Sequence, residues 1–194
     1  MQEVVKVKGQ VIKGVVENPG QDRMVVLAHG FTGNLNGPDD AYVRLSNRLQ
    51  GEGVSVCRFS FRGTPPSDGD FRDMTLGSEV EDLNAVMEYL RQIGYNSISL
   101  VGESMGGSVV ASADLEGVDK IVFWYPTFDF SHDSFVDYLE PERGVELKEK
   151  GYLDLYEGFR LGENFIKEIS EIKLWDKVSG INIPTLFIHG DKDT

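Results

Sequence analysis

The chain has 194 residues, 40% of them hydrophobic, with aromatics spread along its length; this suits one packed domain and argues against disorder. Its 32 acidic and 19 basic residues leave a net charge of −13, which repels nucleic acid and anionic membrane surfaces and excludes both as expected partners. Met1 to Lys8 carries no apolar signal-peptide core. No apolar run approaches the roughly 20 residues of a membrane span, so a cytoplasmic protein is the expectation.

Strand and helix patterns alternate along the chain, as in an α/β domain with a mostly parallel central sheet and helices on both faces. Val4–Lys8 and Val11–Glu17 read as the first strands, followed by a turn from Asn18 to Asp22. Met24–Ala28 is a continuous apolar run, as a strand buried on both faces requires, and it ends at His29-Gly30. Asp39 or Asp40 is placed to cap a helix running to about Leu49. Val54–Phe61 is the next strand. It holds Cys57, the one cysteine, which excludes an intrachain disulfide and reads as a buried structural thiol.

A loop rich in Gly, Pro and Asp follows from Arg62 to Asp73. From about Leu76 to Ile93, apolar residues at Val80, Leu83, Val86, Met87 and Leu90 make one helical face. Glu79, Glu81, Asp82 and Glu88 on the same helix read as a solvated face rather than a metal site. Ser97–Val101 and Lys120–Tyr125 are further strands. Residues 127–180 then break the alternation with charged and aromatic positions. A structureless loop of that length is uncommon, so a folded cap, or lid, is expected over the top of the sheet. Ile183–His189 restores a buried strand.

Three motifs carry chemistry. Gly102-Glu103-Ser104-Met105-Gly106-Gly107 follows a strand and precedes the helix-compatible run Ser108 to Ala113. In that context G-x-S-x-G is a nucleophile elbow, with Ser104 at the tip of a sharp turn and glycines where a Cβ would block the backbone. The helix N-terminus beneath Ser104 favours negative charge developing near it. His29-Gly30-Phe31-Thr32-Gly33 ends the third strand and is the expected oxyanion loop. Two backbone N–H groups, those of Met105 and Phe31, are the expected donors to the oxyanion. His29 precedes that loop and is read as its brace, not as the catalytic base. Third, Ile183 to Asp193 is a strand ending in a turn that bears two acids, Asp191 and Asp193, in the chain order Ser, acid, His expected of this architecture.

With these motifs in order, the chain resembles the α/β-hydrolase superfamily, in its small-lid group of cinnamoyl and feruloyl esterases and monoglyceride-lipase-like serine hydrolases. The matching pieces are His29–Gly33, Arg62-Gly63 with Ser67-Asp68-Gly69, Gly102–Gly107 and His189–Asp193. The resemblance implies one hydrolase domain over residues 1–194 with the cap inserted at about 127–180. It also implies that Asp193, the fourth position of Gly190-Asp191-Lys192-Asp193, is the catalytic acid; Asp129 is the weaker alternative. The implied reaction is ester cleavage through an acyl-enzyme on Ser104, with no metal and no organic cofactor. The implied partner is a small-molecule ester with an apolar or aromatic group, matching the aromatics Phe128, Phe130, Phe135, Tyr138, Tyr152, Tyr156, Phe159, Phe165 and Trp175. Homo-oligomerisation stays open.

Two departures stand out. Relatives usually carry Arg-Gly-His-Gly after the fourth strand, whereas this chain has Arg62-Gly63-Thr64-Pro65-Pro66, so the loop is expected to differ in shape. The resemblance also implies a last strand, a catalytic-histidine loop and a final helix after Asp193, so the 194 residues are expected to be part of a longer enzyme. Of the three histidines, His29 and His189 read as structural and His132 as a cap residue. A serine aminopeptidase or acyltransferase, and a catalytically inactive binding protein of the same fold, are the rival readings.

Overall fold

In the computed structural model, which describes residues 2–130 and 135–193, the apolar runs form strands of one seven-stranded sheet. These are β1 (Gln2–Val7), β2 (Gln10–Glu17), β3 (Arg23–Ala28), β4 (Ser55–Phe59), β5 (Ser97–Glu103), β6 (Val118–Trp124) and, last in the chain, β9 (Thr185–Ile188). Their spatial order is β1-β2-β4-β3-β5-β6-β9. β1 and β2 are antiparallel, and β4, β3, β5, β6 and β9 run parallel.

Strand periodicity divides the core into two layers. On β3, Met24, Val26 and Ala28 join the larger core, while Leu27 and Val25 face the smaller one on the other side. The smaller layer is covered by α1 (Ala41–Gly51) through Tyr42, Leu45 and Leu49. The larger is covered by α2 (Leu76–Gln92) and α3 (Met105–Ser112). Cys57 is fully buried in that layer, and burial pushes its thiol up to about 12, as expected of a structural cysteine. Among the described residues, no helix is long and apolar enough to cross a membrane.

Several local expectations change. Asp40 occupies the N-cap position of α1, but its backbone is left-handed (φ 57°) and its side chain caps nothing. The helix is entered instead from a 3-10 turn at Pro38–Asp40, with Tyr42 N–H donating to Asn36 O. At α2, a capping box joins Thr75 and Ser78, each hydroxyl accepting the other residue's backbone N–H.

The acidic face of α2 is only half solvated. Glu81 and Glu88 are exposed, but Glu79 and Asp82 are buried. The one-face pattern assumes a single packed side, whereas α2 touches β1, α3 and a helix of the inserted segment. Asp82 accepts hydrogen bonds from Arg62 N–H (2.8 Å) and Arg62 Nε–H (2.5 Å). Glu79 Oε2 has no hydrogen-bond partner among the described residues. Burial, then the fields of Asp82 and Glu168, hold the Glu79 carboxyl well above the usual range.

The inserted segment contains α4 (Pro141–Lys150), a two-stranded sheet of β7 (Tyr152–Asp154) and β8 (Arg160–Gly162), α5 (Glu163–Glu171) and α6 (Trp175–Ser179). It is pinned to the main domain by Glu168 of α5, whose carboxylate accepts the N–H groups of Leu76 (2.5 Å) and Gly77 (2.9 Å) at the start of α2. An acid there satisfies orphan donors and meets the positive end of the helix. The aromatics of the segment largely build its own core: Phe128, Phe130, Phe135 and Phe165 are buried, while Tyr156 and Trp175 are exposed. β9 is also not the buried strand expected. It lies at the sheet edge, and Leu186, Phe187 and Ile188 are each about half exposed.

A pH-dependent stability follows from Glu79. Its folded-state pKa lies above its unfolded value, so its contribution is full at acid pH and is lost as pH rises through the folded pKa. Glu79→Gln removes that loss. Urea denaturation at pH 5 and pH 8 should show the variant gaining on the native protein at the higher pH; an equal gap at both would contradict the assignment.

Candidate active site

Ser104 lies between β5 and α3 with φ 51° and ψ −123°, a conformation that L-residues rarely adopt. The neighbouring glycines explain why the turn closes so sharply. A Cβ on Gly106 would sit 2.3 Å from Ala28 O, and one on Gly102 would sit 2.6 Å from Gly106 O. Three hydrogen bonds hold the strained residue: Ser104 N–H donates to Trp124 O (3.1 Å), and Ser104 O accepts from Gly107 N–H (2.9 Å) and Thr127 N–H (3.1 Å). Ser104 is partly exposed, and its Oγ makes no hydrogen bond among the described residues.

The loop after β3 is built around the Gly30–Phe31 peptide. His29 is buried, and its Nε2 accepts Phe61 N–H (3.1 Å). The ring proton therefore sits on Nδ1, which donates to Gly30 O (2.8 Å). Gly33 N–H donates to the same oxygen (3.0 Å). With that carbonyl held by two donors, the trans peptide turns the Phe31 N–H the opposite way. Gly30 abuts Ser104, since a Cβ there would lie 2.9 Å from Ser104 Cβ. Neither Phe31 N–H nor Met105 N–H has an acceptor among the described residues.

Thr64 stands in the loop that departs from the relatives' pattern. Its hydroxyl donates to Phe61 O (2.7 Å) and lies 3.4 Å from His29 Nε2. The hydroxyl thus fills the space beside the imidazole. His29 has both nitrogens engaged, and burial lowers its pKa to about 4, partly offset by the bond to Gly30 O. It is a neutral brace with no lone pair to offer Ser104.

The acid turn rises at the same end of the sheet. Glu103 is in register with Trp124, and Trp124 with Ile188, so residues 104, 125 and 189 stand at one level on parallel strands. Two strand spacings separate the turn from Ser104, about 10 Å. There Asp193 Oδ2 pairs with His189 Nε2 (3.3 Å), both side chains being half exposed. Asp191 is exposed in the same turn. Asp129, the alternative acid, lines a separate cleft of about 370 Å³ with Phe130, Ile169, Lys173 and Trp175. His132 lies outside the described residues.

Ser104, Met105 and Phe31 are therefore brought together, and Asp193 is placed at the same sheet end without touching Ser104. The inserted segment reaches the site through Phe31, whose ring packs on Phe71, Phe135, Tyr138 and Phe165 with centroids 5.0–6.2 Å apart. Thr32 Oγ1 also meets Tyr156 Oη (2.5 Å). Sequence reasoning missed Glu103 and Tyr42. Glu103 Oε2 accepts Gly30 N–H (2.8 Å) and Tyr42 O–H (3.3 Å). The available signal was an ionisable residue inside the elbow, where the preceding strand is otherwise buried.

The neutral state of His29 is directly measurable. Its folded pKa lies below the usual value of about 6.5, so its contribution to stability is full above that value and is lost as pH falls toward about 4. Nitrogen-15 NMR of histidine-labelled protein should show a neutral Nδ1–H ring down to about pH 4. A ring titrating near 6.5 would contradict this geometry.

Comparison with known proteins gives the site its context. The family model described as serine aminopeptidase, S33, matches residues 19–143, more than half of the chain. The mouse palmitoyl-protein thioesterase ABHD10 is 25% identical over 182 residues, which cover 90% of this chain and 60% of that protein. The human protein of the same name is 25% identical over 183 residues, covering 90% and 58%. The chain thus spans about 60% of the length of these relatives. Among solved structures, Est1E from Butyrivibrio proteoclasticus with ferulic acid bound aligns with a TM-score of 0.79 at 22% identity, covering 100% of this chain and 80% of that one. Mouse α/β-hydrolase domain-containing protein 10 aligns with a TM-score of 0.75 at 23% identity, covering 99% and 78%. The sheet order, the strained serine between β5 and α3 and the family match agree: the fold is that of the α/β hydrolases, and the chain belongs to the serine aminopeptidase, S33, family.

Proposed function

We propose that this chain carries the nucleophile and oxyanion hole of a serine hydrolase that cleaves carboxylic esters. The observation that carries the reading is Ser104, held at φ 51°, with its Oγ and the two backbone N–H groups beside it all lacking partners among the described residues. Strain of this kind costs on the order of 1–3 kcal/mol and persists where surrounding structure enforces it. Unsatisfied donors near a nucleophile suit a charge that exists only in the transition state.

In the proposed reaction, Ser104 Oγ attacks the acyl carbon and its proton passes to a histidine outside the described residues. Phe31 and Met105 N–H groups receive the oxyanion. The tetrahedral intermediate collapses, and the histidine returns the proton to the departing alcohol. Water then attacks the acyl-enzyme, with the same histidine removing its proton, and the acid and free Ser104 are released. Asp193 orients the imidazole, exchanging its present His189 partner for it. The inserted segment acts as the lid, and the aromatic surround of Phe31 supports an apolar or aromatic group on the substrate. The names of the relatives support acyl transfer to water from either oxygen or sulfur, since the acyl-enzyme is common to both.

The test uses the full-length protein against p-nitrophenyl esters, acyl thioesters and aminoacyl anilides. Ester turnover should dominate. Ser104→Ala should lower kcat/KM by at least about 10³-fold with an unchanged circular-dichroism spectrum. Asp193→Asn should cost on the order of 10⁴-fold and Asp191→Asn little. Retained activity in Ser104→Ala would overturn the assignment, and preferential cleavage of the anilides would favour an aminopeptidase.

A further inference from the structure

Glu103 is a carboxylate in a place built for apolar side chains. It ends β5, is 8% exposed, and precedes the nucleophile directly. A buried carboxylate survives by collecting donors, and two converge on this one. Gly30 N–H comes from the loop after β3 (2.8 Å) and Tyr42 O–H from α1 (3.3 Å). Tyr42 shares its proton with Ala28 O (3.1 Å), which ties the same network to the last residue of β3.

The consequence lies in the two peptide planes that flank Gly30. The Gly30–Phe31 plane is held at its carbonyl by His29 and Gly33. The His29–Gly30 plane is held at its N–H by Glu103. Gly30 has no side chain to limit its rotation, and a Cβ would lie 2.9 Å from Ser104 Cβ and 3.1 Å from Glu103 Oε2. Close approach to Ser104 thus demands glycine, and its freedom has to be removed by hydrogen bonds from outside. Glu103 supplies the bond on the N-terminal side, from a residue covalently next to the nucleophile.

We infer that Glu103 is a positioning residue, fixing the Gly30 peptide so that the following Phe31 N–H is aimed at the oxyanion formed on Ser104. The inference rests on the roles proposed above for Ser104 and Phe31. It separates charge from geometry: glutamine keeps an acceptor for both Gly30 N–H and Tyr42 O–H, whereas leucine keeps the bulk and loses the acceptor.

The test compares Glu103→Gln, Glu103→Leu and the smaller Glu103→Ser in the full-length protein with a p-nitrophenyl ester. Leucine and serine should lower kcat by about 10²-fold, the scale of one oxyanion donor, with KM within about twofold; glutamine should restore kcat to within about tenfold of the native value. An aryl trifluoromethyl ketone, carbon-13 labelled at the carbonyl, gives a second readout: its Ser104 hemiketal oxyanion should titrate at higher pH in the leucine variant. If leucine and serine variants do not fold, the Gly30 amide decides. Its proton should be well downfield in the native protein and move upfield in Glu103→Gln. Native kcat and native oxyanion titration in Glu103→Leu, or an unmoved Gly30 amide, would overturn the inference while leaving the nucleophile intact. A native protein with no turnover and no ketone adduct would instead sink the assignment of Ser104, and this inference with it.

Discussion

The contact on which the site depends is between the first turn of α3 and the end of β3, where Gly106 faces Ala28 O and His29 O with no room for a Cβ. That closeness brings the loop 29–33 against the elbow and compresses the turn at Ser104 into its positive-φ conformation. The strain is balanced by ordinary elements: a bond to the end of β6, one from Thr127 and one from Gly107. A helix carrying a side chain at position 106 would have to stand further from the sheet, which would separate Met105 N–H from Phe31 N–H.

The polar groups around the elbow follow a single pattern. Each buried one is given enough partners to stay in one protonation or tautomeric state. His29 is kept neutral by burial with both nitrogens bonded. Tyr42 is held well above its usual range by burial and the Glu103 carboxylate. Among the described residues, Ser104 Oγ and the two N–H donors beside it have no partner. Under the proposed function this pattern is preorganisation: polar groups that position are satisfied in the resting protein, and those proposed to react are not.

Much of this was legible in the chain. The elbow could be read because its glycines, its serine and the strand before it are local and their sterics are strict. The alternation of strands and helices was legible for the same reason, since period-2 and period-3.6 patterns record which face is buried. What failed depended on neighbours distant in sequence. Glu79 and Asp82 were read as solvated because a charged helical face usually is, and only the packing of α2 against β1, α3 and α5 buries them. The aromatics of residues 127–180 were read as suiting an apolar substrate group, with at least some building the cap's own core, and several do pack on one another and on Phe31. Glu103 was passed over as the variable letter of a motif.

The inserted segment and the loop after β3 meet at a shared residue. Phe31 packs its ring on Phe135 and Phe165, so the inserted segment and the loop after β3 are packed together. All of this presupposes that Ser104 is the atom that reacts. The most direct measurement is mass-spectrometric mapping of the covalent adduct formed when the full-length protein is treated with a fluorophosphonate. A single phosphonylated peptide with the modification on Ser104 is the predicted result; an adduct on any other residue, or none, would contradict the account.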